Sequence, residues 1–244
     1  MLIKVINPNT TWAMTEKIGD CARSVAAAGT IIEAVSPTMG PASIESHYDE
    51  ALLVPGVLDE IAKGERDGVD GYVLACFGDP GLDAARELAG GPVVAIAEAG
   101  MKVATYLGRG FTVVTTLERT VGRAWDLAAH YGVKDSCRNV RACEIPVLEL
   151  DVPGSAAREV ITAECARAVA KDDCDVIVLG CAGMADLTRY ISAQIGVPVV
   201  DGVAAATTMV QSLVSMGLST STRCEFAAPR AKDVHGLLSD FALT

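Results

Sequence analysis

Short runs of β-branched and other apolar residues recur along the chain. Longer Ala-rich stretches with helical spacing separate them. The runs that predict strands are Ile3 to Ile6, Ile31 to Val35, Gly71 to Ala75, Val93 to Ile96, Phe111 to Thr115, Val140 to Ile145, Val176 to Gly180 and Val197 to Val200. Most are continuously apolar, as expected of strands buried on both faces of a parallel sheet. Helices are predicted near Met14 to Ala27, Val54 to Gly64, Gly81 to Ala89, Ala97 to Leu107, Arg119 to Tyr131, Ala156 to Ala170, Leu187 to Ile195 and Ala204 to Met216. At the helix after Cys76, Asp79 is placed to cap and Pro80 suits the first turn. The alternation predicts an α/β fold wound from βα units.

The chain also repeats itself. Asp70-Gly-Tyr-Val-Leu-Ala-Cys76-Phe-Gly lies over Asp175-Val-Ile-Val-Leu-Gly-Cys181-Ala-Gly, with Asp, Val, Leu, Cys and Gly in register. Downstream, Gly91-Pro-Val-Val-Ala-Ile-Ala-Glu-Ala matches Val197-Pro-Val-Val-Asp-Gly-Val-Ala-Ala with one residue of slippage. Upstream, Ile3-Lys-Val-Ile-Asn and Phe111-Thr-Val-Val-Thr each open a half with a strand. Two similar α/β halves are therefore expected, each with a cysteine just past a strand. The expected division is residues 1–105 with 207–244 as one unit and 106–206 as the other. The segment Thr220 to Thr244 is free to pack back on the first half. Ligands of open α/β sheets bind beyond the carboxyl ends of the strands. Two such halves facing each other put both cysteines on opposite walls of one cleft.

Composition narrows the class. Half of the 244 residues are hydrophobic, enough for one large core or two small ones. The formal net charge of −11, with no Lys/Arg cluster, argues against a nucleic-acid partner. The start lacks a basic region and a long apolar core, so no secretory signal is expected. The apolar runs are strand-sized, too short for a membrane span. The expected location is the cytoplasm. Eight cysteines and three histidines (His47, His130 and His235) form no CxxC pair or zinc pattern, so no metal is expected. Cys21, Cys137, Cys143, Cys165, Cys174 and Cys224 are read as reduced, buried thiols.

The matched pair, Cys76 and Cys181, permits specific chemistry. A carbon acid next to a carbonyl loses its proton to a base on one face. A second acid on the opposite face returns a proton, and the stereocentre inverts. A thiolate and a thiol suit this exchange, since a free thiol has a pKa of about 8.5 and a helix N-terminus lowers it. Backbone N–H groups of Phe77-Gly78 and Ala182-Gly183 are placed to hold a thiolate or an enolate oxygen. Two interacting thiols titrate as a pair. The plain alternative is two core cysteines, which the matched position in both halves disfavours. Gly180-Cys-Ala-Gly also suggests a nucleophile elbow, but hydrolase chemistry asks for a partnered His, and no His here lies in a motif that supplies one.

These residues resemble the hydantoin/allantoin racemases of the Asp/Glu racemase superfamily. The resemblance covers nearly the whole chain. It rests on Val5-Ile-Asn-Pro-Asn-Thr, Ala75-Cys-Phe-Gly-Asp-Pro-Gly-Leu, Ile96-Ala-Glu-Ala, Gly180-Cys-Ala-Gly-Met and Val197-Pro-Val-Val-Asp-Gly-Val. It implies a pseudo-symmetric two-domain α/β fold with the cleft between the halves. It also implies Cys76 and Cys181 as the catalytic pair, no metal or coenzyme, a cyclic ureide substrate (a 5-substituted hydantoin, or allantoin in purine breakdown) and a homo-oligomer. Glutamate racemases are expected to carry Cys-Asn-Thr and Cys-Thr-His at these places. Cys76-Phe-Gly and Cys181-Ala-Gly lack those side-chain donors, which favours a neutral ring read by backbone groups. One cysteine would remove the C5 proton and the other would reprotonate the opposite face.

Other residues are candidates for substrate binding or have a structural alternative. Asn9 follows the first strand and either reaches the cleft or caps the next helix. Thr115 and Thr116 occupy the matching place in the second half. Ser43 and Ile44, in a loop beyond the second strand, are placed to cover the cleft. Phe77, Gly78, Ala182 and Gly183 complete the substrate-binding set. Glu98 and Asp201 either orient backbone near the cysteines or cap helices, with capping favoured for Asp201. His47 reads as a solvated surface residue, and Trp12 and Trp125 as packing residues. Rival functions are an arylmalonate-type decarboxylase, which is expected to use one cysteine, a maleate-type isomerase, and a non-catalytic small-molecule sensor with two lobes. The lack of obvious Arg or Lys in the cleft motifs counts against a dicarboxylate ligand.

Overall fold

A computed structural model describes residues 1–152 and 154–243. The first half runs β1 (Leu2–Ile6), α1 (Trp12–Val25), β2 (Ile31–Val35), α2 (His47–Asp67), β3 (Gly71–Leu74), α3 (Leu82–Leu88), β4 (Val93–Ala95) and α4 (Ile96–Leu107). The second runs β5 (Phe111–Thr115), α5 (Val121–His130), β6 (Cys137–Ala142), α6 (Ala157–Lys171), β7 (Val176–Leu179), α7 (Thr188–Ile195), β8 (Val199–Asp201) and α8 (Gly202–Ser215). Strand orders are β2-β1-β3-β4 and β6-β5-β7-β8, and every pairing is parallel. The repeat read from the sequence is thus a repeat of topology. The α/β class with two similar parallel sheets is what folds.

Central strands β3 and β7 are buried along their whole length, as their unbroken apolar runs require. Three apolar clusters form. One fills the space between the sheets, from Ile3 and Val73 to Val113 and Val178. The others pack the outer helices on each sheet, through Leu53, Val57 and Ile61 in the first half and Ile161, Cys165 and Ile191 in the second. Lys4, on β1, is buried, and Glu60 of α2 pairs with it at 3.3 Å. A buried charge of this kind needs such a partner.

The halves exchange their last helices. α4 follows the first sheet but packs on β7 and β8, while α8 follows the second and packs on β3 and β4. The helices meet at their starts, where a Cβ on Gly202 would collide with the Ile96 carbonyl. Only glycine permits that approach. The boundaries expected at 105/106 and 206/207 fall within these exchanged helices.

Several local expectations are corrected. α2 begins at His47, not Val54. Ser46 caps it: its Oγ accepts from the Asp49 N–H at 3.2 Å and donates to Asp49 Oδ2 at 2.7 Å. Pro55 lies inside the helix, where the carbonyl it leaves free, that of Ala51, is on an exposed residue. Asp79 does not cap α3, whose N-cap is Gly81. It caps α4 instead, accepting from Ala97 N–H at 3.0 Å and Glu98 N–H at 2.9 Å. Trp12 is 59% exposed rather than packed, Cys224 is exposed rather than buried, and Cys21 and Cys143 are only partly buried. Asp201 caps α8 through the Ala204 N–H at 2.7 Å, and Glu98 pairs with Arg86 and Lys102, both at 2.6 Å. The turn Cys224–Phe226 of the C-terminal segment contacts α3 of the first half; the last residue, 244, lies outside the described residues.

Candidate active site

Cys76 and Cys181 occupy equivalent places. The Ala75 N–H bonds the Ile6 carbonyl at 2.8 Å, and the Gly180 N–H bonds the Val114 carbonyl at 2.8 Å. Each cysteine is therefore the second residue past the end of its half's central strand. Each carbonyl then accepts from the N–H three residues on, Asp79 at 3.0 Å and Met184 at 3.1 Å. This turn brings the N–H of Gly78 to the Cys76 thiol and that of Gly183 to the Cys181 thiol. Backbone donors in this position favour the thiolate.

Both thiols open into one cavity of about 170 Å³ between the two sheets' carboxyl ends. Its wall brings together most of the predicted site: Asn9, Ile44, Phe77 and Gly78 from the first half, Thr115, Thr116 and Ala182 from the second. Ser43 is not in the wall, which continues from Ile44 to Glu45 and Ser46. Gly183 lies behind it, its N–H toward Cys181 and its α-carbon against Leu150. Asn9 lines the cavity and does not cap α1, whose N-cap is Thr11; its Oδ1 accepts from Thr11 N–H and from Asn7 Nδ2, each at 2.9 Å, fixing the turn before the helix. Thr115 Oγ1 donates to the Gly180 carbonyl at 3.2 Å, fixing the residue before Cys181.

The sequence reading missed the charged part of the wall. Arg119 and Arg123 near the start of α5, with Glu45, His47 and Glu50 at the start of α2, line the cavity. The expected lack of basic residues in the cleft is thereby corrected. Arg119 and Arg123 lie outside the strand-end motifs and on the helix side of the second half, so no spacing signal points to them. His47 is exposed, as expected, but at the cavity mouth. Glu45 spans the halves, accepting from the Val147 N–H at 2.8 Å.

Burial pushes both thiols above the ordinary range. For Cys181 the rise is to about 11, opposed by the Gly183 N–H and the Lys17 charge and supported by Asp151 and Glu45. Cys76 is raised further by burial; the Gly78 N–H opposes this, while Cys181, Glu50 and Asp79 add to it. Both thiols are therefore harder to ionise than a free thiol, and Cys181 is pushed less far than Cys76. Burial likewise pushes the thiols of Cys137, Cys143 and Cys165 up to about 12. Among the described residues no group of three or more His, Cys, Asp or Glu side chains is arranged to hold a metal ion, and no helix is long and apolar enough to cross a membrane.

Known proteins share this fold. The chain is 46% identical over 241 residues to a hydantoin racemase of Pseudomonas sp. (strain NS671), covering 99% of this chain and 97% of that one. The solved structure of an allantoin racemase from Klebsiella pneumoniae superposes with a TM-score of 0.97 at 48% identity, covering 99% of each chain. An arylmalonate decarboxylase, at 19% identity and a TM-score of 0.63 over 93% of this chain and 97% of that one, shares the fold. Residues 3–210 match the family described as Asp/Glu/Hydantoin racemase. The chain is an isomerase of the racemase type and belongs to that family.

Proposed function

We propose that the protein racemises a cyclic ureide, allantoin or a 5-substituted hydantoin, by proton transfer between Cys76 and Cys181. The observation that carries this is the equivalence of the two thiols, each past a central strand and both open to one cavity. One cysteine, as thiolate, takes the C5 proton, and the electron pair moves onto the adjacent carbonyl oxygen as an enolate. Backbone N–H groups of the Cys-X-Gly turns hold the developing charge. The other cysteine, as thiol, gives its proton to the opposite face of C5. The product is the mirror image, and the two cysteines have exchanged protonation states.

The wall suits a small, largely neutral ring. Met14, Ile44, Phe77, Ala124 and Val147 supply apolar surface, and Asn9, Thr115 and Thr116 supply polar edges. The names of the two close relatives, a hydantoin racemase and an allantoin racemase, support the same substrate class. Under this reading the enzyme is a cytoplasmic homo-oligomer that needs no metal or coenzyme. Its units are residues 1–105 with 207–244, and 106–206.

The test is the decay of optical rotation of one enantiomer, with allantoin and benzylhydantoin in parallel, in the presence of chelator and thiol reductant. Decay above the spontaneous rate supports the proposal, and the faster substrate identifies the C5 substituent. Arg119 and Arg123 in the wall favour a second reading, a dicarboxylate substrate. Turnover of maleate without acceleration of either ureide would select it.

A further inference from the structure

Two cations cross between the halves in matching ways. Arg123, on α5 of the second half, donates to the Gly78 carbonyl from Nε at 3.0 Å and Nη2 at 2.7 Å. Lys17, on α1 of the first half, donates to the Gly183 carbonyl at 3.4 Å. Gly78 and Gly183 each stand two residues past a cysteine and present an N–H to its thiol. Each cation also lies near acids. Arg123 lies 3.9 Å from Glu50, and Lys17 lies 2.5 Å from Asp151 and 3.8 Å from Asp186.

We propose that Arg123 and Lys17 are paired positioning residues, each lent by one half to lock the Cys-X-Gly turn of the other so that its glycine N–H faces the thiol. The inference rests on the assignment of Cys76 and Cys181 as the proton-transfer pair. The physical need is plain. Both turns hinge on a glycine, the residue with the widest backbone freedom. Each glycine sits against a neighbour's side-chain tip: a Cβ on Gly78 would overlap Glu50 Oε1, and one on Gly183 would lie 2.8 Å from Leu150 Cδ1, so a side chain at either would displace that neighbour. Restraint must come from outside the turn, and a charged donor on the carbonyl supplies it. The exchange also makes each thiol's setting depend on the other half, so the cleft is competent only with both halves docked.

The two clamps differ in one respect. Around Cys181, the Lys17 charge favours the thiolate, while Asp151 and Glu45 oppose it. Around Cys76, the charged groups Glu50, Asp79 and the Cys181 thiolate all oppose ionisation, leaving the Gly78 N–H as its support. Loss of either cation removes a positive charge and the restraint on the turn together, and the Lys17 charge is among the largest influences on Cys181.

The test is site-resolved alkylation by iodoacetamide, read by mass spectrometry across pH, which needs no substrate. At about pH 8, Lys17→Met is expected to slow alkylation of Cys181 about three- to tenfold, with a smaller change at Cys76. Arg123→Met is expected to slow Cys76 more than Cys181. Lys17→Arg and Arg123→Lys should restore most of each loss. In racemisation assays kcat should fall with KM changed less than about twofold. Wild-type alkylation of both thiols in both Met variants overturns the proposal. So does equal slowing at both thiols without rescue. If a Met variant melts below the assay temperature, Lys17→Gln or Arg123→Gln replaces it and is judged by the same outcomes. Thiol-selective shifts in a protein that racemises neither ureide leave the clamps standing and remove the substrate assignment instead.

Discussion

The Tyr131 hydroxyl donates to the Asp79 carboxylate at 2.6 Å, joining the turn after Cys76 to helix α5 of the other half. Asp79 also accepts the first N–H groups of α4, so one buried side chain ties three elements behind the thiol. Tyr131→Phe is expected to lower stability by about 1–3 kcal/mol, measured by urea titration. Burial pushes the Asp79 carboxyl up to about 6, against the three hydrogen bonds that favour its charge. Unfolded, it ionises near 4. Its contribution to stability is therefore greatest below about pH 4, falls as pH rises to about 6, and levels off above, a change of about 3 kcal/mol. Asp79→Asn should abolish that part of the pH dependence, and an unchanged stability-versus-pH curve in the variant would contradict the account.

Gly180 precedes Cys181 where β7 meets β5. A Cβ there would lie 2.9 Å from Thr115 Cβ and 3.0 Å from Thr115 Cα. The obstacle includes backbone, so the strand end must move. Gly180→Ala is expected to cost about 1–3 kcal/mol and to lower kcat more than about tenfold. Gly122→Ala, on α5 with nothing within 4 Å, is the control and should raise the melting temperature slightly.

A site that needs one thiolate, with Cys181 pushed up to about 11, should speed up with alkalinity. Between about pH 7 and 9, kcat/KM is expected to rise about tenfold per unit, since the thiolate fraction grows in that proportion. A bell centred near neutrality would point to a base other than the thiol pair.

Cys224 is exposed on the C-terminal segment, away from the cavity wall. It should react with a thiol reagent ahead of the seven other cysteines and without loss of activity. Cys224→Ser should match the wild-type turnover and gives a cleaner background for alkylation of Cys76 and Cys181.

The fold was legible because its strands are unbroken apolar runs and because the chain says the same thing twice. Cys76 and Cys181 could be paired from the repeat alone. What stayed hidden depends on contacts between halves. Arg123 and Lys17 are ordinary helix charges until α5 and α1 are placed against the opposite turns. Asp79 before Pro80 reads as a cap for the nearest helix, yet the turn directs its side chain to α4, 18 residues on. The helix expected from Val54 starts earlier, at His47, where Ser46 caps it with Asp49 three residues later. Trp12, at the first position of α1, had no partner that spacing could show to be missing.

The most direct test of the two-cysteine account follows one pure enantiomer in D₂O with Cys76→Ser and Cys181→Ser beside the wild type. Optical rotation reports inversion, and proton NMR reports loss of the C5 hydrogen. The account predicts that neither variant racemises, while a variant that keeps the proton-abstracting cysteine for that enantiomer still exchanges the C5 hydrogen without inversion. Wild-type racemisation by either variant would contradict it.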